Sequence, residues 1–115
     1  VATIGRVFME MIREPSRCGG MQHVIDVYRR EAGRYLNLIV DEVSQHGSAI
    51  DKVRAGFLLS EVCNLDNEAF IDWEKSAQRG GSRKLDPDGE YVPNFSERWK
   101  LSLNVPLVFK LTEDE

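Results

Sequence analysis

Along the first two thirds of the chain, apolar residues recur at helical spacing. Ile4, Val7, Phe8, Met11 and Ile12 form one stripe, with Arg6, Glu10, Arg13 and Glu14 outside it. This predicts an amphipathic helix that stops near Pro15, because the residue before a proline avoids helical geometry. A second helix is predicted from about Gly20, with Met21, Val24, Ile25 and Tyr28 as its apolar face and Gly33 as its terminator. Leu36, Ile39, Val40 and Val43 predict a third, ending at Gly47. Ser48 followed by Asp51 has the form of a capping box and opens a fourth stripe of Ile50, Val53, Phe57, Leu58 and Val62. Gly56 inside that stripe costs up to about 1 kcal/mol of helix propensity relative to Ala, so close helix packing is expected there. Asp66 or Asn67 is expected to cap a short fifth helix holding Phe70, Ile71 and Trp73.

After Arg79-Gly80-Gly81-Ser82 the helical period ends. Pro87-Asp88-Gly89 has β-turn residues in sequence. Trp99, Leu101, Leu103 and Val105 then alternate with Arg98, Lys100, Ser102 and Asn104, which predicts a strand with one buried face. Leu107-Val108-Phe109-Lys110-Leu111 reads as a further strand or an apolar tail, and Thr112 to Glu115 as a fraying end. The expected fold class is α+β: a helical cluster of about five helices followed by a small antiparallel β region, in one domain over residues 1–115. One or two strands do not make a stable sheet, so they are expected to pack on the helices or to join strands outside this chain.

Composition narrows the class. With 115 residues, 42% apolar and 30% charged, the chain has the make-up of one ordinary folded domain. No apolar run is long enough to span a membrane, and the start lacks the features of a secretory signal. We therefore expect a cytoplasmic protein, and the initial Val suggests a piece of a longer one. Cys18 and Cys63 lack zinc-type spacing; two reduced thiols are favoured, with a disulfide left open. The net charge of −4 is unevenly spread. Residues 1–34 hold six Lys/Arg against four Asp/Glu, and residues 35–78 hold three against eight. That argues against wholesale nucleic-acid binding while leaving room for a local phosphate contact.

Candidate chemistry is sparse. Gly19-Gly20 precedes a helix, but no strand comes before it and the Gly-Lys-Ser/Thr of a P-loop is missing, so a tight interhelix turn is preferred. The Arg79–Lys84 loop is a better place for a phosphate, against the plainer reading of a solvated connection. His23 and His46 each lack a second ligand at helical spacing, so neither a metal nor a cofactor is expected. Asp41, Glu42, Glu61 and Asp66 read as a solvated face, and no Ser or Cys has a nucleophile context. Trp73 and Trp99 read as core or interface anchors. The best candidates for nucleic-acid contact are Arg79, Arg83 and Lys84, followed by Arg6, Arg13 and Arg17; no catalytic residue is nominated.

The order of the motifs carries a resemblance. Thr3-x-x-Arg6-x-x-x-Glu10 is followed by the Arg13-Glu14-Pro15 break and by Gly19-Gly20 opening a helix. Val53-Arg54-Ala55-Gly56-Phe57-Leu58-Leu59-Ser60-Glu61, Leu85-Asp86-Pro87 and Arg98-Trp99 running into Asn104-Val105-Pro106 come next. Over nearly its whole length the chain resembles the C-terminal domain of AbiEi-type proteins, the antitoxins of type IV toxin–antitoxin systems. The resemblance implies a winged helix-turn-helix before Val1 that binds operator DNA and represses its own operon. It also implies a C-terminal domain that counteracts a nucleotidyltransferase-type toxin, without requiring a stable complex, and it offers no catalytic residues. Two other readings are a protein-interaction or dimerisation module of a regulator without an antitoxin role, and a phosphate-handling enzyme using Arg79, Arg83 and Lys84.

Overall fold

The computed structural model describes residues 3–77 and 83–105. Among the described residues five α-helices form the body, and several of their boundaries have a local cause. Helix α1 spans Ile4–Arg13; the Thr3 hydroxyl caps it by accepting the Arg6 N–H at 3.2 Å. Pro15 then opens a 3-10 turn, Pro15–Cys18, and Gly19 and Gly20 reverse the chain at φ 89° and 96°. Glycine adopts that left-handed geometry without a Cβ penalty. Helix α2 spans Met21–Glu31 and α3 spans Leu36–His46. Helix α4, Ala49–Phe57, starts from the expected capping box, with both the Ser48 and Asp51 halves formed. It continues as a π-helical turn, Leu58–Val62, in which the Cys63 N–H donates to the Leu58 carbonyl at 2.9 Å. Helix α5, Ala69–Trp73, is preceded by Asn67, whose side-chain oxygen accepts the Ala69 N–H at 2.9 Å.

The helices bury most of the predicted apolar positions; Leu36, Ile50 and Val62 are half-buried, Ile71 of α5 is exposed, and the stripe of α1 is rotated. Helix α1 lies along α3 and buries Gly5, Phe8, Met9 and Ile12, while Ile4 and Val7 remain 42% exposed. The rotation is set at Gly5: a Cβ there would sit 2.4 Å from the Leu38 carbonyl oxygen, so only glycine permits this approach of α1 to α3. On the other side of the core Tyr28 is fully buried. Its ring meets Phe8 edge-on at 5.0 Å, and its hydroxyl donates to the Phe8 carbonyl at 2.6 Å.

Burial pushes the Tyr28 phenol far above its ordinary value, and nearby Cys63 and Asp51 push the same way. Burial likewise pushes the Cys63 thiol up to about 11. Both groups hold their protons more tightly when folded, so the stabilisation is complete below the unfolded values of 9.0 and 10.0 and is lost as pH rises from there through the raised folded values. We expect the urea midpoint to begin falling near pH 9 and to keep falling past pH 11. Tyr28→Phe should cost about 1 kcal/mol at pH 8 and flatten the fall above pH 10. A variant as alkali-sensitive as the parent would remove Tyr28 as a cause.

The expected β region is not formed. Among the described residues there is no strand and no sheet, so the fold is all-helical, with an irregular arm, residues 83–105, laid over the body. Trp99, Leu101, Leu103 and Val105 are buried as the alternation predicts. Pairing is limited to two isolated bridges on Ser102, parallel with Lys84 and antiparallel with Phe95. Two features stop the ladder from growing. The chain turns at residues 97–100, where Lys100 takes φ 58° and its N–H donates to the Ser96 carbonyl at 2.8 Å. The Ser102 hydroxyl accepts the Val92 N–H at 3.0 Å and donates to the Val92 carbonyl at 2.7 Å, replacing backbone pairing there. Ser102 is therefore fully buried, where a one-faced strand would leave it in solvent. The expected element at 107–111 lies outside the described residues.

Candidate functional site

The arm joins the body through Trp99. The outer edge of its indole lies against Gly56 of α4: a Cβ there would come within 2.3 Å of the ring. The close packing expected at Gly56 is thus with an aromatic ring of the arm and not with another helix. The indole N–H donates to Ser60 Oγ at 3.1 Å, and that hydroxyl donates to the Gly56 carbonyl at 2.6 Å, where α4 gives way to the π-helical turn. The Trp99 backbone N–H donates to Ser96 Oγ at 3.2 Å, and Ser96 Oγ donates to Glu61 at 2.9 Å. Arg98 lies 5.0 Å above the Trp99 ring and pairs with Glu74 at 2.8 Å. Asn104 holds the Leu85-Asp86-Pro87 corner by accepting the Asp86 N–H at 2.9 Å and donating to its carbonyl at 3.0 Å. It acts as one more backbone unit would.

The nominated cations are not brought together. Arg6 pairs with Glu10 at 3.1 Å and Glu42 at 3.3 Å, and these partners hold its pKa above the ordinary value. Arg13 pairs with the buried Asp51 at 2.8 Å and donates to the His46 carbonyl at 3.3 Å. Asp51 also accepts the Ser48 N–H at 2.9 Å, so its carboxylate ties the end of α1 to the start of α4, and Arg13 adds the end of α3 through His46. Arg17 is 78% exposed and pairs with Glu14 at 3.4 Å. Arg83 donates to the Ser76 carbonyl at 2.7 Å, and Lys84 donates to the Gly89 carbonyl at 2.8 Å. Arg79 lies outside the described residues. Of the three candidates that form ion pairs, Arg17 has the most exposed side chain, and Arg6 and Arg13 hold helices together.

Arg54 escaped the sequence reading. Its Nε donates to the Lys84 carbonyl at 2.9 Å from beneath the arm. Burial lowers its pKa, with Asp51 and Asp86 opposing and Arg83 adding to the fall. No local pattern marks it: an arginine inside a helical stripe reads as solvated until the arm is seen to cover it. On α2, an open recess is lined by Asp26, Arg29 and Arg30, and Arg30 is turned back onto the Asp26 carbonyl at 3.3 Å. His23 and His46 are exposed, and among the described residues no group of three or more His, Cys, Asp or Glu is placed to hold a metal ion. No helix of the described residues is long and apolar enough to cross a membrane. No protein-family model, curated protein or solved structure matches the chain.

Proposed function

We propose that this chain is the antitoxin-bearing domain of an AbiEi-type autorepressor, acting against a nucleotidyltransferase-type toxin. One observation carries the reading. Two motifs of the resemblance that are distant in sequence, the Gly56-Phe57-Leu58-Leu59 helix and the Arg98-Trp99 to Asn104-Val105 segment, meet at the Trp99–Gly56 contact. The remaining motif residues do structural work beside them: Thr3 caps α1, Gly19 and Gly20 make the turn into α2, and Asn104 holds Asp86. A motif set made wholly of folding devices suits a protein that acts through its surface. With Arg6 and Arg13 held in ion pairs, and Arg83 and Lys84 hydrogen-bonded to backbone carbonyls, operator binding falls to the winged helix-turn-helix that the resemblance implies.

Coexpression with the nucleotidyltransferase-type toxin that this reading expects beside the gene is the test. The full-length parent and this chain should both relieve the growth arrest. Failure of both sinks the antitoxin reading. A second reading, an interaction module of a regulator without an antitoxin role, draws on the solvent-facing Tyr91 and Phe95 of the arm. The absence of a toxin gene next to the regulator would favour it.

A further inference from the structure

The two flanks of the arm are finished differently. Residues 101–103 run between two short segments. On one side, the Leu85 N–H donates to the Ser102 carbonyl and the Ser102 N–H to the Arg83 carbonyl, which turns the Lys84 carbonyl outward. There Arg54 Nε caps it. On the other side, the Ser96 N–H donates to the Leu101 carbonyl at 3.0 Å and the Leu103 N–H to the Asn94 carbonyl at 2.7 Å. This register turns the N–H and C=O of Phe95 away from Ser102. Neither group has a hydrogen-bond partner among the described residues, and Phe95 is 41% exposed. An edge left this way is a template for another extended chain.

The side chains around this edge suit one kind of occupant. Tyr91 and Phe95 pair edge-to-face at 5.7 Å and remain substantially exposed. Glu90 and Glu97, also exposed, flank them in sequence, and no cation is within ion-pair distance of either among the described residues. Three of the arm's own cations are engaged elsewhere, Arg83 with Ser76, Lys84 with Gly89 and Arg98 with Glu74, and Lys100 forms no ion pair among the described residues. The edge therefore offers backbone groups, aromatic faces and unneutralised carboxylates together. We propose that the Phe95 edge of the arm is a docking site for an extended, arginine- or lysine-bearing segment of a partner protein. Its backbone would pair with Phe95, and its cations would reach the Tyr91 and Phe95 rings and the Glu90 and Glu97 carboxylates. This holds whether or not the antitoxin reading does.

The test is titration of the full 115-residue chain with a short synthetic peptide of alternating arginine and valine, followed by amide NMR and hydrogen exchange. A glutamate–valine peptide of the same pattern serves as control. We expect saturable binding, shifts centred on residues 91–97 and slower exchange of the Phe95 amide. Glu90→Lys combined with Glu97→Lys should weaken binding about tenfold at low salt. Phe95→Ala should weaken it while leaving the urea midpoint nearly unchanged, since the ring is exposed. Equal binding of the acidic peptide, unchanged affinity in the double variant, or shifts confined to other surfaces would overturn the proposal. So would a concentration-dependent dimer in sedimentation that protects Phe95 without any peptide, because the occupant would then be a second copy.

Discussion

Trp99→Ala is expected to lower the unfolding free energy by about 3–5 kcal/mol, the range for removing a large buried aromatic side chain. Trp99 has no exposed surface, and it connects the arm to α4, to the π-helical turn and, through Ser96, to Glu61. Its loss leaves a slot above Gly56 that α4 cannot fill by local adjustment. Gly56 supplies the sharper check. In the parent chain Gly56→Ala should destabilise, because the new methyl would stand 2.3 Å from the indole. In the Trp99→Ala background the same change should be neutral or stabilising, since the ring is gone and alanine recovers up to about 1 kcal/mol of helix propensity. Urea unfolding of the four chains closes the cycle. If Gly56→Ala has the same effect in both backgrounds, the contact does not join arm to body as described.

The second large effect is at Asp51. Its carboxylate is only 2% exposed and serves the Ser48 cap and Arg13 at once. Asp51→Ala removes the cap acceptor and strands the guanidinium, at an expected cost of about 3 kcal/mol. This is the lower end for a broken buried pair, because the Arg13 side chain is 36% exposed and water solvates part of the loss. Arg13→Ala should cost a comparable amount through the reverse fault, a buried carboxylate without its cation. The double variant should cost clearly less than the sum of the two. Additive losses in urea unfolding would mean that the two residues act separately.

How much of this was legible beforehand varies by element. The stops of α1 and α3 and the start of α4 were readable from Pro15, Gly47 and the Ser48–Asp51 box, because caps and terminators act through hydrogen bonds within a few residues. The buried positions of the arm were readable too, from Trp99, Leu101, Leu103 and Val105. The sheet was not. Alternation reports which side chains are buried, and it is silent on whether neighbouring backbones pair for more than one residue. Lys100 in a left-handed turn and Ser102 bonded to Val92 limit the pairing to single bridges.

Five helical segments, the Ser48–Asp51 capping box and the apolar side of the arm were written in the chain, since each depends on near neighbours. Tertiary structure decided the rotation of α1 around Gly5, the seating of Trp99 on Gly56 and the engagement of nearly every nominated cation. Arg6 meets Glu42, Arg13 meets Asp51 and Arg54 meets Lys84 across 36, 38 and 30 residues of sequence. A side chain's charge is written in the sequence, but its partner is set by which distant backbone the packed core carries past it.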